Sequence, residues 1–531
     1  MPDAALLGTR SLLTSEGLSI TDITGRPPSL GKVGLACSGG GSRAAMVALG
    51  VVRFLHHVDL LRHVRALSCV SGGGWFSVPF TFLPGHIADE EFLGTHVEDT
   101  ASLRLEAGDD PTCLRSLADG HFGVPLTRRT MNVAVIVAKA LEDHRKGVPS
   151  HRLWSREVGL GLLDHFGLAS FGDDHLPVAT FGADEGHERS MRIRCPSLER
   201  PCHLVRSGDY LPRPYLIVNG SMRVKGHDGA DVLAPVQFTP YFSGVMGTGI
   251  GTLANREVGG GGISSYAFGG DWLEGPRERM KVRHEYALAL SDIVGISSAA
   301  YADALADKGI GEISPMLNYV SPLWEPPVGI PARFADGGSV ENTGVPSLLA
   351  YEDIDTVIAA VASPKGIDVT RRGQVIVERQ IPALFGLREY NRDSGYVPYA
   401  EPGEGNPDYA DNQVFANDAG QFDWLAEQMG ARHEAGEAIV VEQSLTTVRN
   451  DKYAVRGGRE VRVLWLFSSP AKRWREQLPA PLRLTLPPSF PNVPTARTQL
   501  DEVHINLLSH FHGWMLDQNR ETLAGLFRPD P

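Results

Sequence analysis

Residues 33–75 read VGLACSGGGSRAAMVALGVVRFLHHVDLLRHVRALSCVSGGGW, and this stretch decides the fold. Two short apolar runs, Val33 to Cys37 and Ala66 to Val70, each end in Ser-Gly-Gly-Gly. Between them, Arg43 to Val58 sets Met46, Val47, Leu49, Gly50 and Phe54 at helical spacing, the pattern of a helix with one buried face. Strand, helix and strand in this length make one parallel crossover unit. A right-handed crossover puts both strand ends on one rim of the sheet, so Gly39, Gly40 and Gly41 are expected beside Ser71. A serine at a sharp strand-to-helix turn, facing a glycine loop with exposed N–H groups, is the arrangement of an acyl-transfer site.

The bulk composition narrows the surroundings of that unit. The chain has 531 residues, 42% hydrophobic and 21% charged, enough for a large core in a soluble globular protein. Its net charge of −13 offers no basic excess to displace counterions, which argues against nucleic acid as a partner. The same charge opposes standing attraction to anionic membranes and leaves room only for transient contact with a membrane surface. The five cysteines (Cys37, Cys69, Cys113, Cys195, Cys202) make no metal or disulfide pattern and suit a reducing compartment. The first thirty residues lack a basic start followed by an apolar core. The uncharged run Ala66 to Gly85 contains Ser-Gly-Gly-Gly and Pro79, so it reads as strand and turn and not as a membrane span. A cytoplasmic protein without an anchor is expected.

Further along, Met131 to Leu141 and His151 to Gly167 read as helices, and residues 168–212 as a polar surface excursion. Tyr215 to Asn219 (YLIVN) and Val236 to Thr239 read as strands, and Tyr286 to Leu305 as one long helix of small residues. Ala332 to Ala335 is a short strand that ends in Asp336-Gly337-Gly338, and Val345 to Tyr351 is a helix. Thr356 to Val361 (TVIAAV) is continuously apolar, as a parallel strand covered on both faces would be. Ile439 to Glu442 and Val461 to Phe467 suggest an antiparallel pair, and one helix from about Gln499 to Phe527 closes the chain. The sum is an α/β fold with three α/β/α layers around a mainly parallel central sheet. Residues 1–30 would be a lead-in, and 31–531 one domain with insertions at about 84–212 and 364–435.

A serine hydroxyl needs a base for its proton and donors for the oxyanion. Gly39, Gly40 and Gly41, opening the first helix, can aim N–H groups at a developing charge, each worth about 3 kcal/mol in comparable sites. Asp336, at a strand end beside two glycines, is the candidate base; a carboxylate with pKa about 3.9 is a weak base until enclosure raises it. His504, His510 and His512 would complete a Ser…Asp…His order. Against that, Cys69 stands where such an elbow has its first glycine, and the histidines fall on a helix. Gly39-x-Gly41-x-x-Ala44 also fits a dinucleotide fingerprint, but the second strand ends in Ser71-Gly72 where an acidic residue would hold the ribose.

Taken together, Ser38-Gly39-Gly40-Gly41-Ser42-Arg43-Ala44, Ser71-Gly72-Gly73 with Trp75, and Asp336-Gly337-Gly338 resemble the cytosolic phospholipase A2 catalytic domain and its patatin-like relatives. Gln237-Phe238-Thr239-Pro240-Tyr241 with Gly244, Gly295-Ile296-Ser297-Ser298-Ala299, and Phe490-Pro491 with Thr495 extend the likeness in matching order. The resemblance implies a Ser/Asp dyad without histidine: Ser71 as nucleophile, Asp336 as base, Gly39, Gly40 and Gly41 as oxyanion loop. Arg43, matching the family's motif arginine, would hold a substrate phosphate, and Trp75 would pack. The implied function is hydrolysis of acyl esters, above all (lyso)phospholipids, through an acyl-serine and without cofactor or metal. Acyl transfer or amide chemistry on a carrier-bound or other non-lipid acyl substrate uses the same dyad, and a non-catalytic lipid-binding protein is the alternative from another class. The chain departs from the family in Cys69, in the lack of a preceding calcium-dependent membrane-targeting domain, and in the short stretch before Asp336, which leaves little room for a lid.

Overall fold

The structure, a computed structural model, describes residues 5–9, 11–14, 17–25, 31–194, 200–207, 211–273, 280–284, 288–305, 313–400 and 406–528. The strand–helix–strand unit forms as expected: β1 (Val33–Cys37), α1 (Gly41–His57), β2 (Val64–Val70), followed by α2 (Gly72–Thr81). β1 and β2 are adjacent and parallel, with Leu35 opposite Leu67 and Cys37 opposite Cys69. β3 (Tyr215–Lys225) joins β2 in parallel, Val70 opposite Asn219, and β4 (Asp231–Phe238) returns antiparallel along it. Farther on come α3 (Leu290–Ser297), α4 (Ala300–Leu305), β5 (Ile330–Ala335) and α5 (Val345–Leu349). They are followed by β6 (Thr356–Val361), β7 (Val440–Thr446), β8 (Glu460–Phe467) and α6 (Glu502–Asp517). The parallel centre runs β3-β2-β1-β6-β8. Antiparallel strands extend it on both sides into one 14-stranded sheet, so the sheet is parallel at its heart and mixed as a whole.

The layers follow from strand alternation. In β6, Ile358 and Ala360 join the core beneath α1 and α6, while Val357, Ala359 and Val361 join the opposite core beneath α5 and the Gln421–Glu434 helix. In β8, Leu464 and Leu466 face the first core and Val463, Trp465 and Phe467 the second. A run apolar at every position is what a strand with two dry faces requires. The antiparallel pair expected near the C-terminus is β7 and β8, with Val441 opposite Trp465.

Four expectations change. The N-terminal lead-in is partly woven in: Ser11–Leu13 pairs with Gly261–Ile263 at the sheet edge, and the Asp353 carboxylate accepts the N–H groups of Ile20 and Thr21. A three-residue edge strand is too short to show a period. The 168–212 excursion is anchored by the parallel pair Thr180–Gly182 and Cys202–Leu204, with Phe181 buried against Phe82. The long helix over 286–305 is two, α3 and α4, parted at Ser298 and Ala299, and residues 286 and 287 lie outside the described part. Ser298 Oγ donates to the Val294 carbonyl at 2.7 Å, a back-bond of the kind that bends helices. The closing helix likewise breaks, α6 giving way to Arg520–Gly525. Among the described residues no helix is long and apolar enough to cross a membrane, and no group of three metal-ligating side chains gathers. Cys37 and Cys69 are buried and free, as small core residues on neighbouring strands; Cys195 lies outside the described part.

α1 crosses α6 at Gly50, where a Cβ would lie 2.3 Å from the Ser509 carbonyl oxygen and 3.0 Å from the His512 Cβ. Gly50→Ala is therefore expected to lower unfolding free energy by about 2 kcal/mol through overpacking. The check is a fall in the urea midpoint at unchanged slope.

Candidate active site

Ser71 links the end of β2 to α2 with φ 48°, a left-handed conformation that favours glycine and strains a serine. That turn lifts the hydroxyl out of the strand, as a nucleophile elbow does. Asp336 follows β5, which lies antiparallel to β3 with Ala335 opposite Ser221, and Asn219 of β3 lies opposite Val70 of β2. Asp336 therefore emerges one strand away from the serine. Ser71 Oγ donates to Asp336 Oδ2 at 2.9 Å, so two residues 265 apart in sequence meet in a direct hydrogen bond.

The carboxylate, 4% exposed, is oriented from several sides. Its Oδ1 accepts the Gly338 N–H at 2.7 Å, its Oδ2 accepts the Ala300 N–H at 3.3 Å, and Ser221 Oγ donates to the Asp336 carbonyl. The charge of Asp336 is felt nearby: burial first, then Asp336, push the Tyr301 phenol up to about 12.

The glycine loop lies against the serine turn as the crossover predicts. A Cβ on Gly39 would come 3.1 Å from the Ser71 Cβ, and one on Gly72 would come 2.1 Å from the Gly41 carbonyl oxygen and 2.5 Å from its nitrogen. The two loops meet backbone to backbone, which only glycine permits. Their N–H groups are not equivalent. Gly39 N–H donates to the Asn342 carbonyl at 3.0 Å and is not available to a substrate. The Gly40 and Gly41 N–H groups have no protein acceptor among the described residues, and Gly41 opens α1 at its positive end. Of the three glycine N–H groups expected to face a substrate, that of Gly39 is spent on holding the loop, and those of Gly40 and Gly41 stay unengaged.

Arg43 is also corrected. It is 1% exposed, and its guanidinium donates to the carbonyls of Val493 and Ala362 and, at 3.2 Å, to Thr495 Oγ1. Burial lowers its pKa to about 10 although Glu378 and Tyr301 oppose that shift. One turn into α1 and under the C-terminal segment, it ties the glycine loop to residues 493–495 and does not face a substrate phosphate. Trp75 is buried, as packing implies.

The late histidines stand elsewhere. His512 is buried and bonded to the Leu508 carbonyl and Ser468 Oγ; His510 accepts from Trp474 Nε1; His504 pairs with Asp501 at 2.8 Å.

Three residues escaped sequence reasoning. Ser297 Oγ accepts the Ser71 N–H at 2.9 Å and donates to the Asn219 carbonyl at 2.6 Å. Asn219 donates to Ser68 Oγ and the Cys69 carbonyl, fixing the end of the strand that carries Ser71. Asn342 wedges between the loops: Cβ atoms on Gly39 and Gly338 would lie 2.0 and 2.3 Å from its Oδ1. Asn219 had a signal, a polar residue after four strand-forming ones; Ser297 stood in the Gly295–Ala299 motif without a role, and Asn342 had no signal. Over the loop, Tyr301 OH donates to the Thr495 carbonyl at 2.5 Å.

With this geometry the chain is an α/β protein carrying a serine–aspartate pair at the rim of its sheet. No protein-family model matches it, and no curated protein sequence matches it. Among solved structures it is similar to human GIVD cytosolic phospholipase A2, with TM-score 0.43 and 13% identity over 94% of this chain and 60% of that one. The same human protein in complex with methyl gamma-linolenyl fluorophosphonate inhibitor and terbium chloride gives TM-score 0.42 and 12% identity over 95% and 60%. The chain spans less than two thirds of the length of these structures.

Arg43→Ala is expected to cost about 3 kcal/mol of stability, because charged hydrogen bonds and buried packing are lost together. An exposed arginine would cost no more than about 0.5 kcal/mol. Chemical denaturation of the two proteins distinguishes the cases.

Proposed function

We propose that the chain is a serine acyl hydrolase that cleaves carboxylic esters through an acyl-Ser71 intermediate, with (lyso)phospholipids as the substrate class. Asp336 takes the Ser71 proton as Oγ attacks the acyl carbon. The tetrahedral oxyanion is received by the Gly40 and Gly41 N–H groups, aided by the positive end of α1. The bond to the alcohol oxygen then breaks, and the alcohol leaves with the proton that Asp336 returns. Water attacks the acyl-serine in the second half, gives its proton to Asp336, and releases the acid as Ser71 recovers its hydrogen.

The observation that carries this reading is the 2.9 Å hydrogen bond from a serine in a strained left-handed turn to a buried carboxylate. Such strain persists only where surrounding structure holds it, and it gathers at functional sites. No histidine stands between the two, so the carboxylate itself is the base. The phospholipid class is supported by the motif resemblance in the sequence. With Arg43 withdrawn as a phosphate ligand, no residue is assigned to the headgroup.

A fluorophosphonate is expected to label the wild-type protein on Ser71, read by peptide mass, and to leave Ser71→Ala unlabelled. Asp336→Asn should lower kcat on a simple aryl ester by about a thousandfold or more while the unfolding free energy from urea titration stays within about 1 kcal/mol of wild type. Substantial turnover by Asp336→Asn would overturn the dyad. Incubation with a mixed lipid extract, followed by mass analysis of the species consumed, tests the substrate class.

A further inference from the structure

The segment that leaves β6 starts beside the glycine loop. The Ala362 N–H donates to Ser38 Oγ at 2.8 Å, and the Ala362 carbonyl takes one of the Arg43 donors. From Ser363 to Arg379 this segment carries Lys365, Arg371, Arg372 and Arg379 against Asp368 and Glu378, a local basic excess in a chain of net charge −13. A patch of that sign raises the local concentration of anions. Arg379 is the member of it tied to the catalytic turn.

The tie runs through Tyr409. The Arg379 guanidinium lies over the Tyr409 ring, 5.5 Å from its centroid, and the tyrosine is 2% exposed. Tyr409 OH donates to the Gly338 carbonyl at 2.7 Å, and the Gly338 N–H is the one that Asp336 Oδ1 accepts. Burial pushes the Tyr409 phenol up; Arg379 opposes that shift and Asp336 adds to it, so both charges reach the same phenol. On the other side, Glu378 acts on Arg43, whose Nη2 would lie 2.5 Å from a Cβ on Gly40. Glu378 and Arg379 therefore stand between the oxyanion loop and the turn that carries Asp336.

The donors of Arg43 are spent on carbonyls, and those of Arg379 are not. The Arg379 guanidinium makes no hydrogen bond among the described residues, and its side chain is 49% exposed. Its one carboxylate neighbour there is Glu378, with Oε1 4.0 Å from Nε. Burial disfavours the charged form of Glu378, whose Oε2 already accepts the Gln380 N–H at 3.3 Å. A guanidinium backed by an aromatic face, with its fork unpaired, suits two oxygens of one phosphate.

We propose that Arg379 binds the headgroup phosphate of a phospholipid whose ester lies at Ser71. This rests on the acyl-hydrolase reading and deepens it. Glycerol joins the scissile ester to the phosphate, so a lipid with its ester at the serine carries its charged end along the rim, where Arg379 stands. Arg379 is a specificity residue: it holds one end of the substrate and takes no part in moving the proton.

The test compares lipids that share a chain and differ in the phosphate. Turnover is measured on decanoyl lysophosphatidylcholine and on monodecanoylglycerol. Binding is measured on their decyl ether analogues, which have no ester to cleave, below the concentration at which they form micelles. Arg379→Gln is expected to raise KM for the lysophospholipid about tenfold at unchanged kcat, the loss of a charge-assisted contact, and to alter monodecanoylglycerol turnover less than about twofold. Arg379→Lys, which keeps the charge without the fork, should recover part of that loss. Binding of the two ethers should divide in the same way, with the urea midpoint of both variants at the wild-type value. Equal losses on both lipids, or no loss on the phosphate-bearing one, overturns the assignment while Ser71-dependent turnover leaves the hydrolase reading standing. Inorganic phosphate that displaces the ether phospholipid at equal concentration, or a wild-type protein that does not bind that ether, overturns it too. If the wild type cleaves neither ester, the hydrolase reading falls, and the division between the two ethers alone decides the role of Arg379.

Discussion

The contact on which the site rests is between two pieces of main chain, Gly41 and Gly72, pressed so closely that Gly72 could not carry a methyl group. Hydrogen bonding in the sheet brings β1 and β2 side by side, but only this approach turns two neighbouring strand ends into one surface. It presents unengaged N–H groups of one loop to the hydroxyl of the other. Everything else at the rim adapts to it. Asn342 fills the groove left by two further glycines and takes the Gly39 N–H, and the gap between α3 and α4 lets Ser297 and Ala300 reach in from above.

The parts of this arrangement that were legible in the sequence are those with a local signature. The apolar runs of β1, β2 and β6, the amphipathic period of α1, and the two Ser-Gly-Gly-Gly turns are statements about consecutive residues, and they fix the parallel centre of the sheet. Asp336 was legible because a carboxylate between a strand and two glycines is conspicuous. The lead-in and the anchored 168–212 segment were not, since their pairing is between short segments far apart in sequence. The break between α3 and α4 depends on a serine back-bond that competes with the helix, and small residues alone do not announce which hydroxyl will turn inward. The carboxylate that meets Ser71 was thus readable, while most of the residues that orient it were not.

Arg43 shows how a motif residue can be relocated by its context. As a member of the glycine motif it suggests an exposed guanidinium; in the fold, the first turn of α1 runs beneath residues 493–495, and backbone carbonyls take its donors. Arg53, nearly three turns later on the same helix, is the reverse case. Nothing in its sequence neighbourhood distinguishes it, yet it is a buried cation held by the Leu93 carbonyl and the His121 ring. Chemical character in both cases is set by which acceptors the tertiary structure supplies, and helical periodicity is blind to that.

The tie between the glycine loop and residues 493–498 bears on the order in which the rim can form. Ser42 Oγ donates to the Thr498 carbonyl and Arg43 to the Val493 carbonyl, so the turn that opens α1 is braced by residues 456 and 450 positions later in sequence. Contacts between such distant segments are among the slowest to form. A chain whose central strands have already paired can therefore still lack its finished rim.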